Sequence, residues 1–141
     1  MKNNFFVLIA VIAISLSANC QSIKVPSAVK NAFAAKYPNA TNVEWGKENA
    51  KEYEAEFKMN GNSVAANFGL DGSWVETETT IPVVDLPAAV SVAVIKKNPG
   101  ADIIVAEKLE MPGGKLLYEV TFKVNGKKKS MELNPDGSLA K

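Results

Sequence analysis

The sequence predicts an α+β fold: a tandem duplication of a helix followed by up to four antiparallel strands, with both helices packed on one face of the sheet. Three observations lead there. A proline-led apolar stripe with helical spacing occurs twice, the apolar period switches to two after each stripe, and the two halves align with each other.

The helices come first in each unit. Val25-Pro26-Ser27-Ala28-Val29-Lys30 returns as Leu86-Pro87-Ala88-Ala89-Val90-Ser91, and Lys36-Tyr37-Pro38-Asn39-Ala40 returns as Lys97-Asn98-Pro99-Gly100-Ala101, both 61 residues later. Proline suits a helix start. Ala28, Val29, Ala32 and Phe33, like Ala89, Val90, Ala93 and Val94, then form one stripe, which predicts helices near Ser27–Lys36 and Ala88–Lys97. Pro38 and Pro99 end them, because the residue before a proline is pushed out of the helical region.

Strands follow. Tyr53, Ala55, Phe57 and Met59 alternate with Glu52, Glu54, Glu56 and Lys58, and Val64, Ala66 and Phe68 alternate with Ala65 and Asn67, as half-buried antiparallel strands do. Asn60-Gly61 and Asn125-Gly126 predict tight hairpins, and Asp71-Gly72-Ser73 and Asp136-Gly137-Ser138 the next connections. These later matches lie 65 residues apart, so the second unit has gained four residues, around Met111-Pro112-Gly113-Gly114. A last strand is expected over Trp74 to Thr79, with only a stub over Ser138 to Lys141 in the second unit. The units thus run over 23–80 and 86–141, joined by a linker at 81–85 that contains Pro82, and together form one compact domain. Two repeats are too few for a solenoid.

Composition narrows the function. The 141 residues are 47% hydrophobic and 22% charged, which supports a core and excludes wholesale disorder. Histidine is absent, and all 16 basic residues are lysine. That removes imidazole general bases, Ser-His and Cys-His pairs, histidine metal ligands and arginine clamps for phosphate. A net charge of +1 gives no pull toward nucleic acid or an anionic membrane.

Residues 1–20 read as an export signal: a positive start at Lys2, an apolar stretch from Phe5 to Leu16, and Ala18 and Cys20 as small residues before cleavage at Gln21. The expected location is periplasmic or secreted, and the mature chain would carry no cysteine and no disulfide. A lipid anchor on Cys20 is the alternative, which Asn19 fits poorly because a small residue should precede the modified cysteine.

The Val-Pro and Leu-Pro helix starts, the Lys-Tyr-Pro-Asn-Ala stop, the Tyr-Glu-Ala-Glu-Phe strand running into Asn-Gly and the Asp-Gly-Ser turn give the chain its resemblance to a known group. From about Ile23 to Lys141 it resembles the small exported bacterial proteins called PepSY-like or beta-lactamase-inhibitor-like. The resemblance implies a sheet whose open face binds another protein, and the family name implies inhibition of a secreted enzyme. It assigns no catalytic or binding residue to positions in this chain.

The residues themselves offer few sites. Glu54 with Glu56, and Glu76 with Glu78, are carboxylates two apart on one strand, but they stand side by side where a glycosidase pair flanks its substrate, so a solvated strand face is expected. The Asp-Gly-Ser turns lack the alternating oxygen ligands of a calcium loop. Lys127-Lys128-Lys129 reads as a charged hairpin tip that discourages edge pairing. No catalytic, cofactor-binding or metal residue is assigned. Glu44, Trp45, Glu54, Glu56, Lys58, Trp74, Glu119 and Lys123 are the candidate partner-binding residues, the two tryptophans because they have no aromatic counterparts in the second unit, where Ala106 and Leu139 align. The leading expectation is a non-enzymatic exported binding protein, inhibitor-like, that offers its open sheet face to another protein. The alternative is a small-ligand or peptide carrier of the cell envelope, and an enzyme working with carboxylates, lysine and tyrosine comes third.

Overall fold

The structure is a computed structural model and describes residues 23–140. The expected export signal, with Cys20, lies outside the described residues. Two helices, α1 (Ser27–Lys36) and α2 (Ala88–Lys97), fall on the predicted stripes. Pro26 and Pro87 stand just before them, and their carbonyls accept the first helical hydrogen bonds from the amides of Lys30 and Ser91 at 3.1 and 3.2 Å. At the other end the amides of Tyr37 and Asn98 reach back to Phe33 and Val94 at 2.8 and 2.9 Å, and the following proline prevents another turn.

The strands are β1 (Thr41–Lys47), β2 (Glu52–Met59), β3 (Asn62–Gly69), β4 (Trp74–Ile81), β5 (Asp102–Met111), β6 (Lys115–Val124) and β7 (Lys127–Leu133). They form one seven-stranded antiparallel sheet in chain order. The repetition between halves is inexact. The first half has four strands, whereas the second has three and, in place of a fourth, an isolated bridge between Leu133 and Leu139. The difference has a physical basis: β4 is held between β3 and β5, while the stub has only β7 to pair with. The four extra residues of the second half lengthen its first hairpin. β5 and β6 have 10 residues each where β1 and β2 have 7 and 8.

The pairing of β4 with β5, from Thr77 opposite Glu110 to Ile81 opposite Ala106, joins the halves edge to edge. Register then fixes the faces. Ala55 lies opposite Ala66 and Ala66 opposite Thr77, and on the far side Ile81 lies opposite Ala106 and Ala106 opposite Val120. These residues share one face, and both helices pack on it. Under α1, Val29 and Phe33 meet Tyr53, Ala55, Phe57, Val64, Ala66 and Phe68. Under α2, Val90 and Val94 meet Ala106, Val120, Phe122 and Leu133. The first core is aromatic, with Phe33 at 5.1 Å from Phe57 and 5.2 Å from Trp45, ring centre to ring centre, edge to face.

The Asp-Gly-Ser turns dock against the helices. Each aspartate accepts hydrogen bonds from the amide and hydroxyl of the serine two residues on, at 2.9 and 2.6 Å in both turns. The glycines between them have φ of 86° and 82°, and a Cβ would lie 2.7 Å from the Ala28 carbonyl oxygen at Gly72 and 2.4 Å from that of Ala89 at Gly137. Both backbone conformation and space therefore demand glycine there.

Two stability outcomes follow. Phe57→Ala and Phe122→Ala should each cost about 3–5 kcal/mol in denaturant melts, against about 0.5 kcal/mol or less for the exposed Lys123→Ala; similar losses in both classes would contradict the assigned faces. Gly72→Ala and Gly137→Ala should each cost about 1–3 kcal/mol through strain, and unchanged midpoints would mean that the turns do not touch the helices as described.

Candidate functional site

Among the described residues no helix lies on the other face of the sheet, and its side chains follow from the same register. Glu54 lies opposite Asn67 and Asn67 opposite Glu76 across β2, β3 and β4. One rung on, Glu44, Glu56, Ala65, Glu78, Leu109 and Leu117 run from β1 to β6. Glu107, Glu119 and Glu132 form a third row across β5, β6 and β7. A hollow of about 520 Å³ between these rows is lined by Glu44, Glu54, Glu56, Ala65, Glu78, Thr80 and Glu107 together with Asn42, Lys58 and Ser63.

This face is drier than alternation implies. Leu109 and Leu117 are 3% and 1% exposed, and Asn67, Glu119 and Thr121 are buried with them. Same-face side chains of adjacent strands stand about 5 Å apart, and here glutamates and leucines of neighbouring strands crowd one another. The glutamates respond. Burial, reinforced by the neighbouring charges of Glu76, Glu107, Glu119 and Glu54, pushes the Glu78 carboxyl up to about 8. Burial likewise raises Glu119 to about 7, against a hydrogen bond from Ser130 that pulls it back. Glu54 and Glu76 are raised by burial first and by other carboxylates second, with the Asn67 amide opposing the shift at Glu76. Glu107 is raised by burial, and Lys128 pulls it back. The solvated face expected for the Glu54 and Glu76–Glu78 carboxylates is thus half-buried, because alternation reports which way a side chain points and not which side chains the neighbouring strands bring alongside it.

Of the eight candidate residues, Glu44, Glu54, Glu56, Lys58, Glu119 and Lys123 lie on this face. Trp45 and Trp74 lie on the other. Trp45 is opposite Ala55 and packs into the α1 core. Trp74 is opposite Phe68, beyond a bulge that gives β4 an extra residue and reverses its alternation; its indole N–H donates to the Thr77 hydroxyl at 3.0 Å, and the Lys36 ammonium stands 3.6 Å from its ring centre. Thr77 also shares a hydrogen bond with the Tyr37 hydroxyl. The residues that reasoning from sequence left out of the set, Glu78 and Glu107, are central to the face. Their signal was present in the alternation of β4 and β5 but gave no measure of burial.

Chemically the face offers acceptors. No group of three Asp, Glu, Cys or His side chains converges on a metal position among the described residues, and no described helix is long and apolar enough to cross a membrane.

Comparison with known proteins places this geometry. The family model described as "Putative beta-lactamase-inhibitor-like, PepSY-like" matches residues 17–65 and 51–141. Among solved structures, a BLIP-like protein from Bacteroides fragilis is 25% identical, covering 86% of each chain with a TM-score of 0.70. A DUF2874 family protein from Bacteroides ovatus is also 25% identical, covering 84% of this chain and 86% of its own with a TM-score of 0.72. A candidate periplasmic protein from Bacteroides eggerthii shares the fold at 22% identity and a TM-score of 0.75, covering 84% and 87%. No curated protein matches the chain.

The raised carboxyls give stability an unusual pH dependence. A group whose folded value lies above its unfolded one binds more protons in the folded state, so its contribution is complete below the ordinary carboxyl range and is lost as pH rises through the folded value. For Glu119 and Glu78 that loss runs upward through about 7 and about 8. The lowered carboxyls of Asp71 and Asp136 act oppositely, but in acid, outside this window. The urea midpoint should therefore be higher near pH 5 than near pH 9, and Glu78→Gln should raise the alkaline value and flatten the difference. A midpoint that climbs from pH 5 to pH 9 would contradict the burial of these groups.

Proposed function

The chain belongs to the PepSY-like, beta-lactamase-inhibitor-like family, and from that premise we propose that it is an exported, non-enzymatic binding protein that offers the helix-free face of its sheet to another exported protein and inhibits it. The single observation that carries the reading is that face: a broad strand surface with a hollow across β1 to β5, covered by no described helix and patterned with charge. The description of the Bacteroides fragilis relative as BLIP-like supports an inhibitory role, and that of the Bacteroides eggerthii protein supports the periplasm. Export would use residues 1–20 as the signal, and the halves 23–80 and 86–141 would be two copies of one ancestral unit joined at 81–85.

Glu44, Glu54, Glu56, Lys58 and Lys123 make up the docking surface in this reading, with the buried Glu119 beneath it. Trp45 and Trp74, committed to the helix side, are not part of it. The rows of carboxylates would steer an encounter and set its specificity more than they would add affinity. The carrier reading gains nothing from the space between helices and sheet, where the residues of both cores are close to fully buried. Catalysis by carboxylates alone would need a pair placed on opposite sides of a substrate, and the glutamates of this face stand in rows on one side.

The test is capture from a periplasmic extract with the immobilised protein, followed by mapping. Glu44→Lys and Glu56→Lys, both exposed, should slow association with the captured protein about tenfold, in a salt-dependent way, with melts unchanged. If both leave association unchanged while replacement of Pro112-Gly113-Gly114 abolishes it, the docking surface is the hairpin tip and the reading fails.

A further inference from the structure

We propose that the helix-free face takes a lysine-bearing extended segment of its partner, with one ammonium seated between Glu54 and Glu76 on the amide oxygen of Asn67. This rests on the reading of that face as the docking surface and adds the chemistry of what docks.

Two independent observations carry it. The first is charge. Glu54, Glu76, Glu78, Glu107 and Glu119 lie on the inner strands of the face, with Glu132 beside Glu119 on β7, whereas its lysines, such as Lys58, Lys123 and Lys128, sit near the hairpin tips. The Lys108–Glu110 ion pair lies on the helix side. The second is Asn67. It is 4% exposed, its Nδ2 donates to Glu76 Oε1 at 3.1 Å, and its Oδ1 is buried with no hydrogen-bond partner. Buried acceptors are seldom left unpaired. Its cross-strand neighbours, Glu54 and Glu76, are themselves acceptors when ionised, so what the position lacks is a donor.

An ammonium supplies three donors and a positive charge. A metal ion would need carboxylates converging on one point, and no such group exists among the described residues. A guanidinium is built to grip one carboxylate with two parallel bonds, whereas a single buried oxygen on a residue flanked by two glutamates suits the compact end of a lysine. Spacing agrees: Glu54 and Glu56, like Glu76 and Glu78, are two residues apart along a strand, about 7 Å. Alternate side chains of an extended segment have the same separation, so lysines at every second position match the rows.

Seating a cation here also drives protons off. Glu78 is faced by Glu76 on its own strand, Glu54 from β2, Glu107 from β5 and Glu119 from β6, and Lys128 of β7 acts on Glu107. All but Lys128 favour the protonated form of Glu78 until an outside charge arrives. Binding is therefore coupled to proton release and is stronger at high pH.

The experiment uses isothermal titration calorimetry on the purified protein with a capped peptide of about eight alternating lysines and threonines, and an alternating glutamate–threonine peptide as control. The lysine peptide should bind about tenfold more tightly near pH 9 than near pH 5, with proton release seen as a buffer-dependent heat, and the control should not bind. Asn67→Leu leaves the net charge unchanged and removes an unpaired acceptor, so it should fold at least as well, yet weaken the peptide about tenfold. Glu76→Gln provides a second variant with the same expected loss. Equal affinity of wild type, Asn67→Leu and Glu76→Gln, or tighter binding near pH 5, would overturn the proposal. If the lysine peptide does not bind while Glu44→Lys and Glu56→Lys still slow the captured protein, this proposal falls and the docking surface stands; if those reversals are also silent, both fall.

Discussion

The pairing of β4 with β5 is the constraint on which the rest of the structure depends. Each half could satisfy its own hairpins alone, but only this ladder turns two small sheets into one and fixes how their faces match. Side chains alternate with a period of two, so a slip of one residue between Ile81 and Ala106 would put the α2 core and the α1 core on opposite faces. With the observed register both helices cover one face, and every apolar strand residue that meets them is spent there. The other face inherits the glutamates.

That inheritance has an energetic consequence. A flat sheet would leave its glutamates in water, each at little cost. Here the face is drawn together so that Glu132 on β7 acts on Glu76 on β4, and Leu109 and Leu117 are buried on a side with no described helix above it. Burial and mutual repulsion both disfavour the charged carboxyl. The face is therefore held short of its full negative charge by its own crowding, and an external cation relieves the cost. The helix side carries the stability of the fold, and the other side carries the cost of its crowded carboxyls.

Much of this was legible in the sequence. The helices were readable because prolines bracket each stripe at both ends, and the tight hairpins because Asn60-Gly61 and Asn125-Gly126 supply two successive positive-φ residues, observed at 52° and 84° and at 51° and 72°. The assignment of Phe57 and Phe122 inward followed from simple alternation. Three irregularities were not legible, at Thr41/Glu44, Asn67/Phe68 and Ile103/Val105. A bulge reverses the alternation without leaving a composition signal, which is how Trp74 comes to lie under α1 instead of beside Glu76. The candidate site was readable as a set of outward residues on β2 and β6. Its centre, Glu78 beside Leu109, was not, because burial there depends on what the neighbouring strands bring alongside and no pattern within one strand encodes it.

The central claim is that one face of this sheet is a coupled, partly protonated carboxylate surface, and its most direct test is an NMR titration of the glutamate side-chain carboxyl carbons. The account predicts that Glu78 titrates near 8 and Glu119 near 7, and that both midpoints fall when a lysine peptide is added. Midpoints for both in the ordinary glutamate range of about 4–5, unmoved by the peptide, would contradict it.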